Sequence, residues 1–328
     1  MKRARLIALL VLMLEVACHR SPGLREVASV DTAGWAHDLA FLGDSLYVSD
    51  REGGFAVFDR RNFQIPPKVA APVKDVISLS PNSGSPVLAS RFEGIVLMSP
   101  SGQMLDRQVY QGDIANAVET RGDLAYAAYG RHGLVIYRVS GSTLQFLTQL
   151  PTPGWSHNIR LYKNLAILAD WNYGLRIVDV SNPEKPSEIG VLKTPATTIA
   201  VDLHEQDGKL LAAVAEGHAG VAIAEIDGVG RPSLISRVGF GLTPGDAPHP
   251  LTGGWIHGVA WSGRYIFAAN WKRGLAVIDA EDVRAPRVVL EHPTPGTALA
   301  VAAESLPGGG HLIYLADGES GLHVFAYK

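Results

Sequence analysis

Apolar and polar residues alternate along most of the chain with the two-residue period of half-buried strands, and no stretch keeps the period of an amphipathic helix. A glycine followed by alternating β-formers recurs. It reads Gly54-Phe-Ala-Val-Phe-Asp59, Gly94-Ile-Val-Leu-Met98, Gly133-Leu-Val-Ile-Tyr137 and Gly174-Leu-Arg-Ile-Val-Asp179, then Gly220-Val-Ala-Ile-Ala-Glu225, Gly274-Leu-Ala-Val-Ile-Asp279 and Gly321-Leu-His-Val-Phe325. The spacings are 40, 39, 41, 46, 54 and 47 residues, so seven glycines mark seven repeat units. Within a unit an apolar strand such as Ile159 to Leu161 meets a polar turn, Lys163-Asn164. A second strand, Leu165 to Ala169, ends at Asp170, and a short turn leads to the marker glycine and the third strand.

In four units a proline follows an acid: Asp59/Pro66, Asp179/Pro186, Glu225/Pro232 and Asp279/Pro286. Such a proline suits the start of an outer strand, where a missing N–H is tolerated. Units close on Thr152-Pro-Gly154, Thr194-Pro-Ala196, Thr243-Pro-Gly245 or Thr294-Pro-Gly296, which predicts type II turns with glycine at positive φ. Four antiparallel strands per unit predict a propeller blade, with an open solenoid as the competing repeat fold. The chain ends favour the propeller. Only one strand follows Gly321, and Leu24 to Ala33 reads like the outer-strand segment Ser187 to Thr194. The predicted fold is therefore an all-β, seven-bladed propeller of four-stranded antiparallel blades, closed by an N-terminal strand added to the last blade. Closure also removes exposed sheet edges.

The segment Gly174-Leu-Arg-Ile-Val-Asp-Val-Ser-Asn-Pro-Glu-Lys-Pro186 resembles the LVIVD repeat of exported bacterial and archaeal β-propeller proteins. The units around Met98-Ser99 and Tyr137-Arg138 depart from it by lacking the acid. The resemblance implies a propeller at the cell surface or in the periplasm and implies no agreed activity.

Composition adds an address. Lys2, Arg3 and Arg5 precede the apolar run Leu6 to Leu14, which is too short to span a bilayer, and Leu14-Glu15-Val16-Ala17-Cys18 follows. The segment resembles a bacterial lipoprotein signal, with Glu15 where such signals usually carry Leu. Residues 1–17 are expected to be the signal peptide, Cys18 the lipidated residue, 18–23 a tether and 24–328 the propeller. The expected location is extracytoplasmic, on the periplasmic or surface face of the outer membrane, with the membrane engaged through the lipid. Cys18 is the only cysteine, so no disulfide forms within the chain. The net charge is −3, with no basic stripe, which argues against nucleic-acid binding.

The most specific signal outside the repeat is Gly-Trp-x-His. It occurs as Gly34-Trp35-Ala-His37, Gly154-Trp155-Ser-His157 and Gly254-Trp255-Ile-His257, each 20 residues before its marker glycine. All three copies fall where the first strand of units one, four and six begins, beside the central channel. Val76, Asn116, Ile199 and Leu299 hold the corresponding place in the other units. One reading is structural: the tryptophan pads blade contacts and the histidine donates to a carbonyl across the blade. The other is a ligand site at the channel mouth, aromatic walls with a few polar groups. A loop longer than its counterparts, Gly245 to Gly253, leads into Trp255 and His257 and would gate access.

A second recurring pair lies in the turn before the third strand: Asp170-Trp171-Asn172-Tyr173 and Asn270-Trp271-Lys272-Arg273, with Asp50 and Asp317 at the place of Asp170. These acids are expected to cap their own turns. The tryptophans are expected to be exposed on the same rim as the Gly-Trp-x-His copies. Arg51, Arg91, Arg131 and Arg273 accompany these turns and suit either bridges between blades or an anionic partner.

No nucleophile elbow, phosphate loop or His-Glu-x-x-His occurs. The expected role is a binding scaffold using a rim of Trp35, His37, Trp155, His157, Trp171, Trp255, His257 and Trp271 for a protein, glycan or small ligand, with no cofactor. The alternative is a metal-dependent enzyme holding zinc or copper on His37, His157 and His257, with His249 as a fourth ligand. A structural assembly factor working through the blade sides is the third class.

Overall fold

The computed structural model describes residues 23–328 apart from 33, 64–66, 71–72 and 242–253. The signal segment, Cys18, Pro66, His249 and the 245–253 loop lie outside the described residues. Apart from one 3-10 turn at Asn82–Gly84, every helix or strand described is a strand. The strands form seven four-stranded antiparallel sheets. The blade carrying Gly174 shows the plan: Asn158–Tyr162, Leu165–Ala169, Leu175–Asp179 and Ser187–Leu192, paired in chain order. The first strands of the other blades are Ala36–Leu42, Val76–Ser80, Ala117–Arg121, Ala200–Gln206, Gly258–Ser262 and Ala300–Ser305. We number the blades 1 to 7 by their first strands in chain order, so His37, His157 and His257 belong to blades 1, 4 and 6.

Each first strand touches the first strand of the blade before and the blade after, and blade 7 touches blade 1. The circuit is closed, with the first strands innermost. Blade 7 takes its outer strand from the other end of the chain. Leu24–Val30 pairs with Leu322–Tyr327 in the register Leu24↔Tyr327, Ala28↔Val324 and Val30↔Leu322, with a bulge at Val27. A solenoid would leave those two segments at opposite ends of a rod.

The apolar core is divided among the junctions. There is one buried cluster between each pair of neighbouring blades, seven in all. The cluster that seals the ring joins Leu46, Val48 and Phe58 of blade 1 to Tyr314, Leu322 and Val324 of blade 7. Each fully buried side chain of this kind contributes about 1.5–3 kcal/mol. With no cysteine beyond Cys18, packing between blades carries the fold.

The marker glycines have a backbone reason. All seven adopt positive φ, from +71° at Gly94 to +94° at Gly220. At Gly174 (φ +87°) a Cβ would also stand 2.1 Å from the Leu192 carbonyl oxygen in the outer strand. Gly174→Ala is therefore expected to lower stability by about 1–3 kcal/mol, read as a shift in the urea midpoint. An unchanged midpoint would contradict this steric reading.

The prolines sit as expected: Pro186 and Pro286 directly precede outer strands and Pro232 begins one. The closing turns differ from expectation. Neither Gly154 nor Gly296 has positive φ, so these are not type II turns. Close approach excludes a side chain there instead. A Cβ on Gly154 would lie 2.4 Å from the Asp170 carbonyl oxygen, and one on Gly296 would lie 2.0 Å from that of Asp317.

Candidate functional site

Asp170 and Asp317 take their side-chain hydrogen bonds from outside their own turns. They grip the loop that leads into their own blade. Asp50 Oδ2 accepts from the Gly34 N–H at 2.8 Å. Asp170 accepts from the Gly154 N–H at 3.1 Å, Thr152 Oγ1 at 2.7 Å, Ser156 Oγ at 3.0 Å and Arg176 Nε at 2.6 Å. Asn270 Oδ1 accepts from the Trp255 N–H at 2.9 Å, and Asp317 from the Gly296 N–H at 2.8 Å. Asp170 and Asp317 are fully buried. In the three Gly-Trp-x-His blades this latch holds the loop that carries the tryptophan and the histidine.

From that loop each histidine reaches the next blade. His37 Nδ1 lies 2.7 Å from the Ile77 carbonyl oxygen, His157 Nδ1 3.1 Å from that of Ile199, and His257 Nδ1 2.9 Å from that of Leu299. A carbonyl can only accept, so Nδ1 carries the proton and Nε2 is left as a bare acceptor. The residue of blade 2 equivalent to His37 is Ile77, one beyond the expected Val76. A bulge between Val76 and Ser78 matches the bulge between Ala36 and Asp38, and each shifts the register by one.

The ring brings the three imidazoles together. His257 meets His37 and His157 edge to face, with centroids 5.8 Å apart in both pairs. Burial, followed by the neighbouring imidazoles, drives the His37 pKa well below its ordinary value. Burial lowers His257, and burial together with His257 brings His157 to about 3. All three are neutral at physiological pH. Among the described residues no group of three or more His, Cys, Asp or Glu side chains is arranged to hold a metal ion.

The tryptophans divide into two kinds. Trp35 and Trp255, from the incoming loops of blades 1 and 6, lie over Gly318 and Gly217 in the turns of the preceding blades. Trp155 stands under the Arg131 guanidinium, 5.5 Å from its ring centroid, and its neighbour Ser156 bridges to Gly130. Trp171 and Trp271 occupy the same turn position as those glycines and keep the same left-handed backbone, at φ +48° and +44°. That conformation is costly for a bulky side chain. Their partner blades, 5 and 7, bring Ile199 and Leu299 in place of histidine. Five of the seven junctions thus receive an indole, either from the turn or from the incoming loop, and Arg51 and Arg91 hold the turn position at the other two. The turn tryptophans are partly buried rather than exposed. They lean on the histidines, Trp171 at 5.4 Å from His157 and Trp271 at 5.8 Å from His257 between centroids.

The result is a pocket of about 320 Å³ lined by His157, Trp171, Ile199, Trp255, His257 and Trp271. Five of the eight expected rim residues line it. His37 adjoins it through His257, while Trp35 and Trp155 stand apart over their own junctions. Below lies the central channel, about 520 Å³, which all three histidines also line.

The channel holds a charged cluster that the repeat pattern did not reveal. Arg160 Nη1 lies 3.2 Å from Glu119 Oε1 and its Nε 3.5 Å from Asp202 Oδ1. Burial pushes the Asp38 and Glu119 carboxyls up. Burial alone would lower Arg160, but Glu119, Asp202 and Asp38 outweigh it and raise its pKa. The available signal was charge at one inner-strand position, Glu119, Arg160 and Asp202, which other blades fill with Ala40, Ser80, Ala260 and Ala302.

Three segments match the family model for the LVIVD repeat: residues 33–59, 153–194 and 253–287. The chain carries LVIVD repeats. The matched segments fall on blades 1, 4 and 6, the same blades that carry Gly-Trp-x-His. No curated protein sequence matches the chain. Among solved structures, it is similar to U3-55K, with a TM-score of 0.71 and 11% identity over 93% of this chain and 98% of that one. It is also similar to the Swd1 (Cps50) propeller domain of Myceliophteria thermophila, at TM-score 0.68 and 12% identity over 93% and 99%. A third is the computationally designed Ika8 protein, at 0.62 and 11% over 93% and 100%. At such identities the likeness concerns the fold alone.

Proposed function

We propose that this protein is a binding scaffold, exported and tethered to the membrane through Cys18, that engages its ligand at the tryptophan–histidine mouth of the channel. One observation carries the reading. Two indoles, Trp171 and Trp271, are held on left-handed backbone and converge with Trp255 on a single pocket. Backbone strain at a concave aromatic site is the mark of a ligand clamp. The WD40-type neighbours, among them the RRP9 WD40 repeats, fit a scaffold role, since propellers commonly present one rim to a partner. The export segment supports the extracytoplasmic address.

The test uses intrinsic tryptophan fluorescence of the purified protein, titrated with soluble oligosaccharides, short peptides and organic amines. At least one class is expected to give a saturable change. The Trp171→Ala/Trp271→Ala variant, melting normally, is expected to bind it at least about tenfold more weakly, the loss of about 1.4 kcal/mol or more. No saturable response from any class, or equal binding by the variant, would remove the mouth as the binding site. Cys18→Ser is expected to move the protein from the membrane fraction to the soluble fraction.

A further inference from the structure

The chemistry of the mouth narrows the ligand class, on the reading that this pocket is the binding site. Its walls are the indoles of Trp171, Trp255 and Trp271 with Ile199, and its floor is the imidazoles of His157 and His257. Each floor imidazole donates Nδ1–H to a main-chain carbonyl. Nε2 is therefore the ring nitrogen left for a ligand, and in this tautomer it can only accept. The imidazoles thus call for a ligand that donates hydrogen bonds, beside one buried donor left without a partner among the described residues, the Trp271 indole N–H. His37, against His257 at 5.8 Å and tied to the Ile77 carbonyl, adds a third acceptor beside the pocket.

Charge sets the sign of that donor. Beneath the imidazoles, the charged side chains lining the channel are three carboxylates, Asp38, Glu119 and Asp202, against the single guanidinium of Arg160. Most rim cations are paired with carboxylates, although Arg51 and Arg91 also act on His37 and His157 and Arg131 lies over Trp155. Lys272 pairs with Glu319 at 2.6 Å and Arg273 with Glu291 at 2.9 Å. Arg51 and Arg91 share Asp75 at 2.6 and 3.4 Å. Indole faces attract cations and hold alkyl chains. An anion would find two acceptor nitrogens and, in the channel beneath, excess carboxylate, against the unpartnered N–H of Trp271.

We propose that the channel mouth takes a primary alkylammonium group. Its N–H bonds go to the Nε2 atoms of His157 and His257, and its chain carbons lie against Trp171, Trp255 and Trp271. A free amine and a lysine side chain present the same head, and the test separates them.

Calorimetric titration of the full chain would use n-pentylammonium chloride, Nα-acetyl-lysine methylamide, n-pentyltrimethylammonium chloride and zinc chloride. At least one primary ammonium is expected to bind saturably, and at least about tenfold more tightly than the trimethyl compound, which keeps the charge but has no N–H to give. Binding by both primary amines points to the head alone. Binding by the lysine derivative only points to a side chain, and by the pentyl compound only to a free amine. His257→Leu should abolish the preference over the trimethyl compound while the protein stays folded, because Leu299 holds that register in blade 7. Equal or tighter binding of the trimethyl compound would overturn the proposal, as would unchanged affinity in His257→Leu. Zinc binding with no response to amines would overturn it in favour of a metal site. If amines fail but an oligosaccharide or peptide signal is lost in Trp171→Ala/Trp271→Ala, the ammonium assignment falls and the binding mouth stands.

Discussion

Asp170→Ala is expected to lower the unfolding free energy by about 3–5 kcal/mol, the cost of leaving a buried charge without its partner. Asp170 is fully buried and takes hydrogen bonds from Thr152, Gly154, Ser156 and Arg176 at 2.6–3.1 Å. Arg176 is itself buried and keeps only Glu188 when Asp170 is removed. The rescue is written in a sister blade. Blade 6 has Asn270 and Ala276 where blade 4 has Asp170 and Arg176, and Asn270 still holds its incoming loop through the Trp255 N–H. Asp170→Asn combined with Arg176→Ala should therefore recover most of the loss. Urea unfolding of wild type, single and double variants checks this, and a double variant no more stable than Asp170→Ala would show that the latch is not the cause. The single variant should also weaken ligand binding, since the same latch positions the loop carrying His157.

The second large effect is on pH dependence. The imidazoles of His37, His157 and His257 are held neutral in the fold by burial, with their pKa values below the ordinary 6.5. In the unfolded chain they regain the ordinary value. Below pH 6.5 the unfolded state binds protons that the folded state refuses, so stability falls as pH falls. It is level above that value. The slope is at most about 1.4 kcal/mol per pH unit for each histidine. For His157 the window runs from 6.5 down to about 3. The groups facing the trio reinforce the direction: His37 feels Arg51, and His157 feels Arg91. Asp38 and Glu119 act the other way at the acidic end, because burial raises their pKa and protonation relieves them. The measurable outcome is a urea midpoint that drops between about pH 7.5 and about pH 5.5. The triple variant His37→Ile/His157→Ile/His257→Leu copies the residues that other blades carry at this place, Ile77, Ile199 and Leu299, and should make that drop shallower, leaving the share of His204, His292 and His311, whose pKa values burial also lowers. A triple variant with the full native slope would place the titration elsewhere.

Much of the fold was legible because a repeat states the same backbone problem seven times. The marker glycines recur because each needs positive φ in the tight turn before the third strand, and that constraint is local. The incomplete last unit and the strand-like Leu24 to Val30 predicted the closing pair that the structure forms. The equivalence of the Gly-Trp-x-His copies was likewise a matter of counting from each marker glycine. The same count reaches blade 2: His37 lies 17 residues before Gly54 and Ile77 lies 17 before Gly94, so the expected Val76 was one residue off a register that the sequence already held. The turn glycines at Gly154 and Gly296 were assigned the wrong reason, since the atoms that exclude a side chain there belong to a strand end many residues away.

By itself, the amino-acid order determined the strand period, the number of blades, the junction of the two chain ends and the blades that carry tryptophan and histidine. All of these follow from local backbone demands repeated along the chain. Only the tertiary structure decided that His257 stands between His37 and His157, that Trp171, Trp255 and Trp271 share one pocket, and that Asp38, Glu119, Arg160 and Asp202 face one channel. Those residues lie on blades scattered along the sequence. Distances between them are set by the diameter of the closed ring and the packing of seven interfaces, quantities that no local pattern encodes.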